Sequence, residues 1–180
     1  MIQKPANYDE INADGMTRRL PMGGYVAQIK KVTDDETKQF LEIEYEIAEG
    51  EYKGIAVENY EKWGSWSYKF RVYYTNKAMW MFKRFITRVE ETNKGFAFNW
   101  ANPQCLVGKG LGIVVGMRQY YSSKDGSLKE ASEVQDYCTA KDVRDGNLPS
   151  EPKTREPKGE PPAPAMTTIE EDVSSDDLPF

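Results

Sequence analysis

Histidine is absent from this 180-residue chain. That absence removes the commonest general base, the commonest metal ligand and every Ser–His or Cys–His nucleophile pair. Cysteine is scarce: Cys105 and Cys138 stand far apart without a CxxC partner. Lacking histidine to complete a zinc site, both read as reduced, buried small hydrophobes of a cytosolic protein. No stretch approaches the ~18 consecutive apolar residues of a membrane span, and residues 1–8 hold no apolar h-region. A soluble protein with no visible export signal is expected. No Walker-type, Rossmann or zinc-deaminase pattern is present, and Gly108-Lys109-Gly110 lacks the rest of a phosphate loop. Neither a cofactor nor a metal is expected, and no set of catalytic residues emerges.

Acidic residues are scarce in one region only. Residues 62–124 carry 11 basic and 2 acidic side chains, whereas residues 1–61 carry 7 and 13. Residues 149–180 carry 3 basic and 8 acidic side chains, which accounts for the whole formal charge of −5. An acidic isoelectric point therefore hides a basic middle, and that distribution points to a nucleic-acid partner where the net charge would not.

The pattern of elements is mainly β. Pro21-Met22-Gly23-Gly24 is a turn, and residues 25–32 read as a β-branched and aromatic strand. Leu41, Ile43, Tyr45 and Ile47 alternate with Glu42, Glu44 and Glu46, the period-2 signature of a half-buried strand. Three carboxylates on one strand face could invite a divalent cation or repel DNA and keep that face free; the second reading is preferred, because alternation alone explains them. Residues 55–60 are expected as a third strand and 68–74 as its extension or a fourth run. One helix is predicted over about 76–92, with Ala78, Met79, Phe82, Phe85, Ile86 and Val89 forming an apolar face. Thr75 or Asn76 can cap it, and Gly95 lies past its end. Lys83, Arg84 and Arg88 lie off that face and read as solvated. A run over about 106–121 contains four glycines, which suggest bulges, curvature or a close backbone approach. Ser123-Lys124-Asp125-Gly126-Ser127 is a hairpin signal, and residues 128–141 form the returning strand. This order fits an OB-like Greek-key barrel with one helix between strands three and four, the alternative being an open sandwich with a covering helix. The domain is assigned to 1–148, a Pro-rich flexible linker to 149–169 and a disordered acidic tail to 170–180.

The terminus Asp176-Asp177-Leu178-Pro179-Phe180, preceded by Glu170-Glu171-Asp172, resembles the tail of bacterial single-stranded DNA-binding proteins. A ring and an α-carboxylate on one residue suit a pocket with an apolar floor and a basic rim, with the acids reaching the surface around it. The resemblance implies that Asp176, Asp177, Leu178, Pro179 and Phe180 recruit partner proteins. The segments Pro21-Met22-Gly23-Gly24-Tyr25, Leu41-Glu42-Ile43-Glu44-Tyr45-Glu46-Ile47, Gly50-Glu51-Tyr52-Lys53-Gly54, Phe70-Arg71-Val72 and Lys83-Arg84-Phe85-Ile86 are similar to a family of phage and prophage proteins of the replication and recombination region. That likeness implies single-stranded DNA binding in the bacterial host cytoplasm, with no catalytic residues.

The residues themselves place the DNA surface in the basic, aromatic middle. Single strands are held by stacking bases on exposed rings while cations track the phosphates. Alternation over 68–74 sends Lys69, Arg71 and Tyr73 to one face and leaves Phe70 and Val72 in the core. Trp63, Trp66, Lys77, Arg118, Tyr120 and Lys124 complete the candidate set. The expected function is protection of single-stranded DNA with little sequence preference, with replication and recombination proteins recruited through the tail. The alternative is a phage adaptor that binds host proteins through its tail and never touches DNA. A metal-dependent nuclease finds no acidic cluster in the basic region to support it. By analogy with single-strand binders that join several barrels, a homo-oligomer is a further expectation.

Overall fold

The computed structural model describes residues 18–159. Residues 1–17 and 160–180, which include the expected partner-binding residues 176–180, lie outside the described residues. The fold is mainly β. Strands β1 (Gly23–Asp35), β2 (Phe40–Ile47), β3 (Lys69–Tyr73), β4 (Gly110–Tyr121) and β5 (Leu128–Cys138) form one antiparallel sheet in the order β3-β2-β1-β4-β5. A two-residue strand, β6 (Thr154–Arg155), adds in parallel to β4. The sheet is open: no pairing among the described residues joins β3 to β5. The closed barrel expected from the element order is therefore not what the pairings give.

The two free edges nevertheless face each other across the core. The rings of Phe70 on β3 and Tyr137 on β5 lie 5.5 Å apart. Helix α2 (Met79–Thr92) spans them, and its Phe85 lies 6.0 Å from Phe70 and 5.3 Å from Tyr137. Phe82, Phe85, Ile86 and Val89 are buried as the periodicity requires, whereas Met79 is partly exposed. The helix begins later than expected, because residues 75–78 form a turn, and neither Thr75 nor Asn76 caps it. At its far end Asn93 exchanges hydrogen bonds with Gly110 (Nδ2 to O, 2.7 Å; N–H to Oδ1, 3.1 Å), fixing the helix to the start of β4.

Residues 55–60 are helical, not a strand: α1 runs Ile55–Trp63. The cause lies in β2. Glu46, 6 % exposed, turns its carboxylate to the start of α1 and accepts from the amides of Ala56 (2.9 Å) and Val57 (2.8 Å). Those are two of the four amides that a helix N-terminus leaves unpaired. Gly54 and Gly64 bracket the helix with positive φ. The third glutamate of the alternating strand is thus a buried cap and not part of a solvated face.

Two further elements lie beyond the hairpin strands. The returning strand stops at Cys138, and Thr139 with Asp142 forms a capping box that opens α3 (Ala140–Asp145). The chain then comes back to the sheet within the segment expected to begin the flexible linker. Gln135 bonds the backbone of Lys153 in both directions (2.8 and 2.9 Å), and β6 occupies the edge of β4 beyond Val115, which pairs with Gly23, the first residue of β1. The glycines of β4 have a local reason at residue 112, where a Cβ would lie 2.5 Å from the Thr139 carbonyl oxygen. Of the two cysteines, both free, Cys138 is buried as expected but Cys105 is only half-buried.

Candidate nucleic-acid interface

Strand β3 alternates as its sequence demands. Phe70 and Val72 are buried, and Lys69, Arg71 and Tyr73 are exposed on the opposite face. Register places Arg71 across from Glu42, and Tyr73 across from Phe40. The Arg71 guanidinium lies 4.6 Å over the Phe40 ring, and the Tyr73 ring lies 5.4 Å from it. The result is an aromatic and cationic patch at the sheet edge, where the exposed Tyr73 ring can stack on a base beside a phosphate paired by a cation.

Glu42 tempers this patch. Its carboxylate accepts from Arg71 Nε at 3.0 Å and lies 3.5 Å from Lys69 Nζ. The Arg71 hydrogen bond, helped by the nearby Lys69 charge, holds the Glu42 carboxyl below the usual carboxylate range against the opposing effect of burial. Glu44 is engaged similarly by Lys31 at 3.8 Å. The acidic side of β2 therefore serves as counter-charge to β1 and β3.

A cleft opens where β3 and β5 fail to pair. Arg18, Arg19, Trp63, Lys69, Tyr68 and Asn59 line one part of it, and residues 130–132 of β5 line another. Segment 18–20 straps the gap: Leu20 is fully buried, Ser132 Oγ donates to its carbonyl (3.0 Å), and Arg19 reaches the Glu130 carbonyl (3.3 Å). Arg18 is held over the Tyr52 ring at 5.2 Å and bonds the Glu51 carbonyl. Trp63, at the end of α1, is 59 % exposed, with Lys62 Nζ 5.5 Å from its ring. Asn59 is buried and gives its amide to the Tyr68 hydroxyl (3.0 Å), while its buried Oδ1 has no hydrogen-bond partner among the described residues.

No protein-family model matches this chain, and no curated protein matches it either. The geometry sorts the nine expected contact residues into groups. Lys69, Arg71 and Tyr73 share the β3 patch, and Lys69 and Trp63 also line the cleft. Trp66 departs from the group: it is half-buried, packs against the core and donates its Nε1 to the Tyr68 carbonyl (2.9 Å), anchoring the loop. Lys77 is exposed in the turn before α2. Arg118 and Tyr120 lie two residues apart on β4, with the guanidinium 5.6 Å from the ring, and Lys124 is exposed in the following turn. The hairpin group thus sits on a different strand from the β3 patch, the cleft lying between β3 and the facing part of β5.

Sequence reasoning passed over Arg18, Arg19 and Asn59. Arg18-Arg19 is a legible basic pair, but only the strap geometry brings it to the seam. Asn59 was hidden by the strand reading of residues 55–60. Arg84, read as solvated, instead pairs with the buried Asp136 at 2.8 Å and lies 5.5 Å from the exposed Trp80 ring. Among the described residues no cluster of three or more potential metal ligands occurs, and no helix is long and apolar enough to cross a membrane.

Proposed function

We propose that this protein binds single-stranded DNA with little sequence preference, in phage replication or recombination, and recruits partner proteins through residues 176–180. The observation that carries the reading is the exposed face of β3, where Lys69, Arg71 and Tyr73 adjoin a cleft bearing Arg18, Arg19 and Trp63. Rings and cations at this spacing supply both terms of single-strand binding, base stacking and phosphate neutralisation. The strand order supports the same reading. It is one β3–β5 pairing short of a five-stranded OB-type barrel with a helix between strands three and four, an architecture suited to oligonucleotides. Binding and protection need no catalytic group, and none is assigned.

One observation favours the adaptor reading as a second possibility. Glu42 is shared by Lys69 and Arg71, so the β3 patch carries less free positive charge than its sequence suggests. Titration of oligo-dT against the intact chain and a Lys69→Ala/Arg71→Ala/Tyr73→Ala variant, followed by tryptophan fluorescence, separates the two. Quenching by DNA that the triple variant loses supports DNA binding through this face. Unchanged fluorescence of the intact chain, with no bound oligonucleotide, leaves the adaptor.

A further inference from the structure

A second aromatic site, open at the exposed Trp100, has the opposite charge. Tyr74, Phe82, Phe98 and Trp100 line a cavity of about 320 Å³ between the β1–β2 turn and the loop after α2, with Asp34 and Glu36 at its rim. The rings touch in series: Tyr74–Phe82 at 5.8 Å, Phe82–Trp100 at 5.8 Å and Phe98–Trp100 at 5.2 Å between centroids. Trp100 is nevertheless 71 % exposed. The loop that presents it is tied down, since the Phe98 amide donates to Glu90 (2.9 Å) and Gln104 Nε2 donates to the Val32 carbonyl (2.8 Å). A fixed loop lowers the ordering cost of binding. The carboxylates of Asp34 and Glu36 make the cavity acidic; the Tyr74 hydroxyl donates to Asp34 at 2.7 Å, and burial, then that bond and the charges of Asp34, Glu36 and Asp35, push its phenol up to about 12.

Ring faces and carboxylates together attract a cation and repel phosphate. The segments of this chain outside the described residues do not offer the complementary charge. Residues 1–17 hold one lysine against three acids, and residues 160–180 hold six acids and no base. A basic segment of another molecule offers the complementary charge. A guanidinium suits the site better than an ammonium, because its plane stacks on a ring while its N–H fork meets a carboxylate. We propose that Tyr74, Phe82, Phe98 and Trp100, with Asp34 and Glu36, form a docking pocket for an arginine side chain on a basic segment of a second protein. This pocket is separate from the β3 patch and does not depend on DNA binding.

The test uses the full chain and a fluorescein-labelled dodecapeptide carrying three arginines among leucine, proline and serine. A twin peptide has citrulline, of similar shape but uncharged, in place of each arginine. The arginine peptide binds and the twin binds about tenfold more weakly or not at all. Trp100→Ala weakens arginine-peptide binding about tenfold, as does Asp34→Asn/Glu36→Gln, with circular dichroism confirming that both variants are folded. Oligo-dT affinity is unchanged in Trp100→Ala. Absence of peptide binding, equal binding of the twin, or undiminished binding by both variants, which would place the peptide on the acidic tail, overturns the proposal.

Discussion

Arg71 on β3 donates its Nε–H to the Glu42 carboxylate on β2, at 3.0 Å across a register that sets the two residues opposite each other. The carboxylate that steadies this edge of the sheet also occupies a cation proposed to meet phosphate. Glu42→Gln should therefore tighten single-strand binding. The salt slope should steepen by about 0.7 for each phosphate newly neutralised. The sign with pH follows from the lowered Glu42 pKa. Its contribution to stability is present above the ordinary carboxylate range and is lost as pH falls through the depressed folded value. Acidification through that window should weaken the β2–β3 edge while freeing Lys69 and Arg71. Anisotropy titrations of labelled oligo-dT with both chains across a salt and pH series check this, and weaker binding by Glu42→Gln would count against the β3 patch.

Glu46 concerns the scaffold. Replacing its carboxylate with an amide keeps the shape but leaves one acceptor oxygen where two served the amides of Ala56 and Val57. Glu46→Gln should cost about 1–3 kcal/mol in urea unfolding, with Glu46→Ala at least as severe. Amides 56–57 should lose hydrogen-exchange protection first.

Gly112 tests the close approach of two backbones. An added Cβ meets the Thr139 carbonyl, which cannot rotate aside as a side-chain end could. Gly112→Ala should destabilise by about 1–3 kcal/mol, through overpacking, and leave oligo-dT affinity of the folded protein unchanged.

Cys138 is 1 % exposed, and burial, reinforced by Asp142 and Asp136, pushes its thiol up to about 11. At about pH 8 a disulfide reagent should modify Cys105 alone in the native protein, and Cys138 only on unfolding, because the thiolate is the reactive form. Counting modified cysteines by mass spectrometry, with and without denaturant, reads this directly.

The sequence was legible wherever a single element decided its own structure. The alternation in β2, the buried and exposed sides of β3 and the apolar face of α2 all follow from local period. Helix α1 was not legible, because Ile55, Val57 and Tyr60 suit a strand and the residue that turns them helical is Glu46, on another element. The Thr139–Asp142 capping box was a readable signal that a continuous strand assignment covered over. The docking of residues 153–155 depends on Gln135 and on an edge of β4 left free by the start of β1, neither of which composition reveals. At the candidate site, the exposure of Lys69, Arg71 and Tyr73 followed from alternation. The placement of Arg18, Arg19 and Asn59 needed the seam, and the anchoring of Trp66 needed the one hydrogen bond from its indole to the Tyr68 carbonyl.

The most direct test of the central claim is fluorescence anisotropy of a labelled oligo-dT strand and of its duplex with oligo-dA, titrated with the full chain from about 50 to 200 mM salt. The account predicts tighter binding to the single strand at every salt concentration. It also predicts a log–log slope near −0.7 per neutralised phosphate, and loss of binding in Lys69→Ala/Arg71→Ala/Tyr73→Ala. Equal affinity for strand and duplex, or no binding at the lowest salt, would contradict it.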